Sequence, residues 1–494
     1  MVVEGVKVRR PLEILTRDEL DTIDFSTIYI LEKVGILIDE PEILKILDDA
    51  GAIVDYEKKV AKIPEYLIRE ALRKAPSKYI ACGRNPEKDV LIGDSRVHLR
   101  GGAPQQHIID PITRKRRYAT IKDAEDGARL MDALEHIHTL GAPGIGGFGT
   151  PQEVPPPVRD LYGWKILFEN TEKPVGNWIY NKTSARYVLK MGAAIAGGEE
   201  ELRRRPVVAY ECECTSPLRY SSTTLETMKE MAEYGLPIMF NPMPMTGATG
   251  PITLAGTFVI HNAEVLAGIL TAQLINPGTP SVYGVYSETM DMRTCQISFA
   301  SCEVGLFRAA LSQMARYYNL PSCSASGHND SKLCDAQCGF ETGMTLLLSA
   351  LAGCNIIGQV GMLGPDMGAA YEQVVIGDEF GGAIYRIVQG MEVTDDTLAL
   401  DIIEKVGIGG HYLSQEHTKK YLRKEHFIPT ILDRLDWDIW EGQGAKSLTE
   451  RAREKAEKIL KEHQPEPLDK DVKRELENIL KEAENEILEV SNMS

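Results

Sequence analysis

The clearest deficit of this 494-residue chain is positive charge. Asp and Glu number 72 against 55 Lys and Arg, which gives a net charge of −17 at pH 7. A nucleic-acid partner requires basic residues that neutralise phosphates, and an anionic membrane surface requires them as well. We therefore expect neither nucleic acid nor membrane as a partner. The acidic balance favours solubility and, weakly, a cationic ligand.

Cysteine is also scarce, and its count of nine is odd. The segment Met1–Pro11 lacks the apolar stretch of a secretory signal peptide. No uninterrupted apolar run reaches membrane-spanning length. We therefore expect reduced thiols and a cytoplasmic location, without a disulfide framework.

The familiar catalytic signatures are missing. The chain contains no His-Glu-x-x-His, no Gly-x-Ser-x-Gly and no kinase signature. Gly144–Gly149 matches Gly-x-Gly-x-x-Gly, but Pro151 and Pro155–Pro157 follow it, so the helix of a dinucleotide site cannot begin there. No acid/base pair can be named from spacing, which is compatible with chemistry that needs little proton transfer.

Cys212 and Cys214 lie two residues apart, which places both thiols on one side of a strand. This pair leaves a zinc site open as an alternative. No His-x-Cys or Cys-x-x-Cys pair supports it, however, and small buried thiols are common in protein cores.

The middle of the chain, from about residue 90 to 390, is rich in glycine and alternates strand-like and helix-like segments. Unbroken β–α alternation predicts a parallel sheet. Eight units in about 270 residues match the size of an α/β fold of the (β/α)8 TIM barrel type, and an open doubly wound sheet is the alternative. The predicted strands are Val97–Gln105, His136–Pro143, Pro174–Tyr180, Pro206–Glu213, Pro237–Met243, Pro280–Tyr286, Leu320–Gly327 and Asn355–Met362.

The flanking regions are predicted to be helical. We divide the chain into an N-terminal helical extension (1–85), a barrel catalytic domain (86–395) and a C-terminal helical extension (396–494). The last predicted helix has one apolar face that would pack either on the barrel or on a second subunit, so a homo-oligomer remains open. That face consists of Leu476, Ile479, Leu480, Ala483 and Ile487.

The segment Ser326–Glu341 places polar residues between a predicted strand end and a helix start, where α/β barrels build their sites. Within it we assign His328, Gln337 and Glu341 as candidate catalytic residues and Asn329 as a candidate substrate-binding residue. Gln337 and Glu341 share a helix face if the helix begins by Asp335. The alternatives are a purely structural His328 and an Asp335 that only caps the helix.

Aromatic residues recur near the predicted strand ends. Together they could form a box for an alkylammonium ion, held by cation–π attraction of about 0.5–2 kcal/mol per contact. The alternative is that each ring belongs to the core and that nearby carboxylates are solvated or paired with arginine. The candidate substrate-binding residues are Trp178, Tyr180, Glu211, Phe240 and Tyr283.

Several segments resemble the trimethylamine methyltransferase superfamily of corrinoid-dependent enzymes. The resemblance extends from about residue 10 to residue 460, and it implies a (β/α)8 barrel. The segments that carry it are Gly247–Gly256, Asn262–Glu264, Asn276–Pro280, Asp335–Gln337 with Glu341, Tyr371–Val374, Gly410–Leu413 and His417–Thr418.

The archetype of this superfamily uses pyrrolysine, whereas this chain contains only standard residues. It therefore resembles the non-pyrrolysine branch, some of whose members demethylate quaternary amines such as glycine betaine, proline betaine or carnitine. The resemblance implies methyl transfer from such an amine to the Co(I) corrinoid (cobalamin) of a partner corrinoid protein, in metabolism related to methanogenesis or acetogenesis. It implies no permanently bound cofactor and no metal site.

Glycine-rich segments would let the corrin ring approach the backbone closely. On this basis the candidate cofactor-binding residues are Gly101, Gly102, Gln105, Gly247, Thr249 and Gly250. A zinc-dependent thiol or corrinoid methyltransferase and a non-catalytic binding protein for quaternary amines remain as alternatives.

Overall fold

The computed structural model describes residues 2–102, 105–141, 153–365 and 367–493, with side chains described up to residue 489. The Gly144–Gly149 motif and the last two residues of the second predicted strand lie outside the described residues.

A curled parallel sheet forms the centre of this α/β fold. All neighbouring strands run parallel in the order β2-β1-β8-β7-β6-β5-β4-β3. A single parallel bridge between Leu140 and Val175 joins the two ends of that order. Each strand overlaps one of the eight predicted segments, so the predicted parallel sheet is confirmed. The strands are β1 (Arg96–Gly101), β2 (Ile137–Leu140), β3 (Gly176–Asn177), β4 (Ala209–Cys212), β5 (Ile238–Phe240), β6 (Ser281–Val285), β7 (Ser322–Ser324) and β8 (Ile356–Val360).

One main helix follows each strand. The first of them begins with a capping box, because the Thr120 hydroxyl accepts from Asp123 N and the Asp123 carboxylate accepts from Thr120 N. The helices are α1 (Ile121–Ala133), α2 (Arg159–Asn170), α3 (Lys182–Ala196), α4 (Ser222–Glu233), α5 (Leu254–Ile275), α6 (Cys302–Tyr317), α7 (Ala336–Leu351) and α8 (Tyr371–Gln389).

Helix α5 is long and apolar enough, by length and composition, to cross a membrane. It is instead largely buried inside the protein, because it contacts the sheet on one side and three N-terminal helices on the other. A helix surrounded by core can be apolar on every face. The three N-terminal helices are Arg17–Lys33, Pro41–Ala50 and Glu65–Lys74.

The C-terminal region is helical, as predicted. Leu448–Glu462 packs against α8 and α1, and Lys470–Met493 packs against α3. All five residues of the predicted apolar face on the last helix are buried in this chain. The face therefore packs on helices α2 and α3 of this chain. The remaining helices of the region are Asp395–Leu398, Leu400–Val406, Glu416–Glu425 and Trp437–Gly442.

Short strands occupy the N-terminal region and the loops. The hairpin Lys78–Ala81 and Val90–Gly93 lies under the amino ends of the sheet strands, where Leu91 O contacts His98 Nε2. The other short elements are strands Val6–Lys7, Ile36–Ile38, Ile53–Asp55, Val60–Lys62, His107–Ile109, Arg116–Tyr118, Arg219–Tyr220, Met245–Thr246, Glu288–Asp291, Gln296–Ser298, Met362–Leu363 and Gly368–Ala369, and helices Pro86–Lys88, Pro156–Val158 and Glu199–Arg204.

Side chains alternate between the two faces of each strand. The outward residues join the main core under the helices. The inward residues form a second apolar cluster with the hairpin. It extends from the hairpin at the amino ends of the strands to Tyr286 and Ala325, which follow β6 and β7. Its members are Ala81, Val90, Ile92, Met239, Val282, Tyr286, Cys323, Ala325 and Ile356.

Candidate active site

A buried ion pair crosses the sheet interior above the apolar cluster. Arg100 from β1 contacts Glu211 from β4, and both side chains are almost fully buried. Arg100 also donates to Gly176 O at 2.7 Å, and Asn241 donates to the second Glu211 oxygen at 3.3 Å. Burial lowers the pKa of Arg100, but the charge of Glu211 outweighs this and raises the pKa overall. Glu211, predicted to bind substrate, is therefore neutralised by Arg100.

A second buried ion pair follows β6. Arg308 from α6 donates to Glu288 Oε1 at 2.5 Å and to Val285 O at 2.5 Å, and neither charged side chain is exposed. The sequence leaves Arg219 or Arg293 as possible partners for nearby carboxylates. The structure instead selects an arginine 20 residues away along the chain.

His328 follows β7 and is buried. Its Nε2 lies 2.5 Å from Gln359 Oε1, and its ring packs against Phe299 with centroids 4.9 Å apart. Burial lowers the pKa of His328 to about 3, and the charges of Arg308 and Arg100 act in the same direction. The imidazole is therefore neutral at physiological pH.

The other predicted residues of this segment have structural contacts. Asn329 Nδ2 donates to Met362 O at 2.7 Å, which fixes the loop after β8. Glu341 accepts from Asp330 N at 2.7 Å and from Gln337 Nε2 at 2.8 Å, so the predicted pair on one helix face is present. Burial raises the pKa of Glu341.

Asp335 accepts from Cys338 N at 3.0 Å and is the N-cap of α7, which confirms the alternative interpretation of this residue. Gln337 is exposed on the first turn of the same helix. Of the three candidate catalytic residues, His328 is therefore the only one that lies fully buried beside the strand ends.

The predicted aromatic residues divide between the two faces of the sheet. Trp178 is partly buried after β3, and its Nε1 donates to Glu213 at 2.7 Å. Tyr180 follows it, with its backbone N–H bonded to Asp160. Burial raises the pKa of Tyr180 to about 12.

Phe240 and Tyr283 lie on the outer face, away from the interior. The Tyr283 hydroxyl donates to Asn262 on α5, and a Cβ at Gly268 of the same helix would lie 2.5 Å from the Phe240 ring. The physical reason is strand alternation, because the preceding residues, Met239 and Val282, point inward. This placement argues against direct contact between these two rings and a substrate inside the sheet.

Packing and turn geometry within this chain account for glycine at several of the candidate cofactor-binding positions. A Cβ at Gly101 would lie 2.5 Å from Met131, and one at Gly250 would lie 2.3 Å from Thr257 Oγ1. Gly247 has φ +80°, and Thr249 accepts from Met245 N in the same turn. Gly102 and Gln105 line a small, mainly apolar cavity of about 40 Å³ between α1 and α8.

Cys212 packs in the main core, and burial raises the pKa of its thiol and that of Cys214. Raised pKa values disfavour the thiolate that zinc requires. Within residues 2–102, 105–141, 153–365 and 367–493, no three His, Cys, Asp or Glu side chains group as a metal site.

Four residues of this region, Arg100, Phe299, Arg308 and Gln359, were not predicted from the sequence. Arg100 could have been predicted, because a charged residue inside a predicted buried strand requires a partner of opposite charge. Phe299 and Gln359 gave no comparable signal, since their position depends on a loop and on an irregular strand end.

Comparisons with known proteins agree with this architecture. The family model "Trimethylamine methyltransferase (MTTB)" matches residues 3–487. Trimethylamine methyltransferase MttB of Desulfitobacterium hafniense (strain DSM 10664 / DCB-2) is 38% identical over 95% of this chain and 93% of its own length. Glycine betaine methyltransferase of Desulfitobacterium hafniense (strain Y51) is 35% identical over 96% of this chain and 98% of its own length.

Among solved structures, the Methanosarcina barkeri monomethylamine methyltransferase (MtmB) superposes with a TM-score of 0.51 at 12% identity, covering 92% of this chain and 95% of that one. A likeness at this identity concerns the fold alone, and that fold is TIM-barrel-like. The sequence matches extend over nearly the whole chain. The chain therefore belongs to the trimethylamine methyltransferase (MTTB) family, as the resemblance found in the sequence implies.

Proposed function

We propose that this protein transfers a methyl group from a quaternary amine, such as glycine betaine, proline betaine or a carnitine-like compound, to the Co(I) corrinoid of a partner protein. The corrinoid is a substrate supplied by that partner. In this proposal the curled sheet is a complete (β/α)8 barrel and the reaction takes place at the carboxyl ends of its strands. The division into residues 1–85, 86–395 and 396–494 and the cytoplasmic location belong to the same proposal.

The observation that carries the proposal is the electrostatics of the interior. Glu211 and Glu288 are each paired with a buried arginine. His328 is neutral, because burial lowers its pKa to about 3. The two carboxylates are held in ion pairs and the imidazole is neutral, an arrangement that suits a leaving group that needs no proton.

A quaternary amine is such a leaving group. Co(I) donates an electron pair to the methyl carbon, and the electron pair of the broken C–N bond remains on nitrogen. The products are methyl-Co(III) and a neutral tertiary amine, and no proton moves. Alignment of the methyl carbon with the metal would then provide most of the acceleration.

Positive charge on the substrate disperses as the C–N bond breaks. A free carboxylate against the nitrogen would stabilise the substrate more than the transition state. Ion pairing of Glu211 removes that penalty, and aromatic faces hold an onium group only moderately. Trp178 and Phe299 are the aromatic side chains that we assign to this role, because Trp178 follows β3 and Phe299 packs against His328.

The test is a methylation assay with purified protein, a Co(I) corrinoid protein and a panel of amines, followed by the absorbance change from Co(I) to methyl-Co(III). We expect turnover with at least one betaine. The panel includes trimethylamine, because a relative of that name is 38% identical. Turnover with trimethylamine alone would overturn the quaternary-amine assignment, and a panel without any turnover would overturn the methyltransferase proposal.

The alternatives predict other results. A zinc enzyme would contain stoichiometric zinc by metal analysis. A non-catalytic binding protein would bind a quaternary amine tightly without forming methyl-Co(III) in the presence of a competent corrinoid partner.

A further inference from the structure

Gln359 has an unusual backbone conformation for its position. It lies at the end of β8 with φ +30°, and the pairing register with β1 shifts between Gly358 and Val360. Residues other than glycine rarely adopt positive φ. Such strain persists where the surrounding structure imposes it, and it is common at functional sites. The irregularity turns a buried amide toward the interior, where regular alternation would not place it.

One end of this amide is fixed by His328. A carbonyl oxygen can only accept, so the contact of 2.5 Å requires that His328 Nε2 carry the hydrogen. Because the ring is neutral, its Nδ1 is a bare acceptor. The Gln359 Nε2 group keeps its N–H donors, and it has no hydrogen-bond partner among the described residues.

Other buried polar atoms at strand ends share this property. Asn241 Oδ1 and Ser326 Oγ, at the ends of β5 and β7, and His328 Nδ1 also lack partners in the part of the chain that the structure describes. Buried polar groups are nearly always hydrogen-bonded, so a cluster of exceptions indicates a ligand or ordered water. The cluster is uncharged, while Arg100 and Arg308 lie close enough to affect the ionisation of His328.

This environment distinguishes between possible substrates. Tetramethylammonium has no hydrogen-bond acceptor and would leave the Gln359 donors buried and unpaired. A betaine carboxylate accepts from N–H groups, so it would pair the Gln359 donors that tetramethylammonium leaves unpaired. Sites built around a hydrogen bond strongly reject analogues that cannot make it.

We propose that Gln359 determines substrate specificity, with its N–H group donating to the carboxylate of a betaine while its carbonyl oxygen positions His328. This inference rests on the proposed function for its substrate class. It assigns a recognition task to Gln359, which was not among the site residues predicted from the sequence.

The test is calorimetric titration of the full chain with glycine betaine and with tetramethylammonium, without the corrinoid partner. Gln359→Glu keeps an oxygen for His328 but replaces the donor with a charge that repels carboxylate. We expect glycine betaine affinity to fall roughly tenfold to hundredfold, as for loss of a buried hydrogen bond. Tetramethylammonium affinity should change less than about threefold, because that ligand makes no such bond.

Gln443→Glu is the matched control, since it introduces the same charge at an exposed position. Gln359→Met is the second variant, and it removes both the donor and the acceptor. Thermal unfolding establishes that each variant is folded. Equal losses for the two ligands, or no loss for either, would overturn the specificity assignment.

The wild-type protein provides a test that needs no variant. If it binds tetramethylammonium as tightly as glycine betaine, the inference fails even if every variant is unfolded. Betaine binding that depends on Gln359 without methyl transfer to Co(I) would sustain the inference and overturn the proposed reaction. Methyl transfer from a betaine that is insensitive to Gln359 would sustain the proposed reaction and overturn the inference.

Discussion

The two ends of the sheet interior differ in polarity. At the amino end, Ala81, Val90 and Ile92 of the hairpin pack against inward side chains in an apolar cluster. At the carboxyl end, Arg100 and Glu211 form a buried ion pair, and neighbouring neutral groups lack partners among the described residues. An apolar end gains stability from burial alone, whereas the polar end would be costly without a ligand. The difference supports the proposal that the carboxyl end binds the substrate, while the amino end contributes stability.

The largest effect is expected for Arg100→Met, which tests the polar carboxyl end. It leaves Glu211 buried and unpaired, so we expect the free energy of unfolding to fall by about 3–5 kcal/mol, measured by urea denaturation. The double variant Arg100→Met/Glu211→Met should recover much of this loss, because it removes both charges. A single variant as stable as the wild type would contradict the assigned ion pair.

Ile92→Ala tests the amino end. Ile92 is fully buried in the hairpin cluster, so we expect a loss of about 2–4 kcal/mol in the free energy of unfolding from the lost burial and the cavity. Glycine betaine affinity, measured calorimetrically on the folded variant, should remain within about twofold of the wild type because the change lies outside the binding end. A large loss of affinity would show that the two ends are not separate in function.

The smallest effect concerns pH and His328. An unfolded imidazole titrates near pH 6.5, whereas burial lowers the pKa of His328 in the folded protein to about 3. Between these values only the unfolded state binds the proton. The free energy of unfolding therefore falls as pH decreases through this window, by about 1.4 kcal/mol per pH unit for one such ring.

Denaturation of His328→Gln between pH 4.5 and 6 should show a slope smaller by one proton than that of the wild type. The exposed His411→Gln is the control for the loss of a histidine from the surface. Identical slopes for all three proteins would mean that His328 is protonated in the folded state.

The positions of the eight strands were predictable from the sequence. Short apolar segments, several of which begin with proline, alternate regularly with helical segments through the middle of the chain. The direction of individual side chains was harder to predict. A shift of one residue exchanges the inner and outer faces of a strand. Phe240 and Tyr283 were assigned to the site because they lie near strand ends, yet Met239 and Val282 occupy the inward positions.

The remaining site contacts could not be predicted, because they join residues that are far apart in the sequence. The Arg100–Glu211 pair joins residues 111 positions apart, and the His328–Gln359 contact depends on an irregular strand end. Local periodicity carries no information about either. His328 was predictable because it stands in a polar segment directly after a strand, whereas Gln359 stands in a segment that otherwise has the pattern of a continuous buried strand.

The single bridge between Leu140 and Val175 indicates where the sheet should open locally. Among the described residues, every other pair of adjacent strands shares at least two registered residues, whereas β2 and β3 meet through this one bridge and the bond from Leu140 N to Pro174 O. The junction between strands with the fewest backbone contacts should open first, so backbone amides there should exchange with solvent before those of β5 and β6.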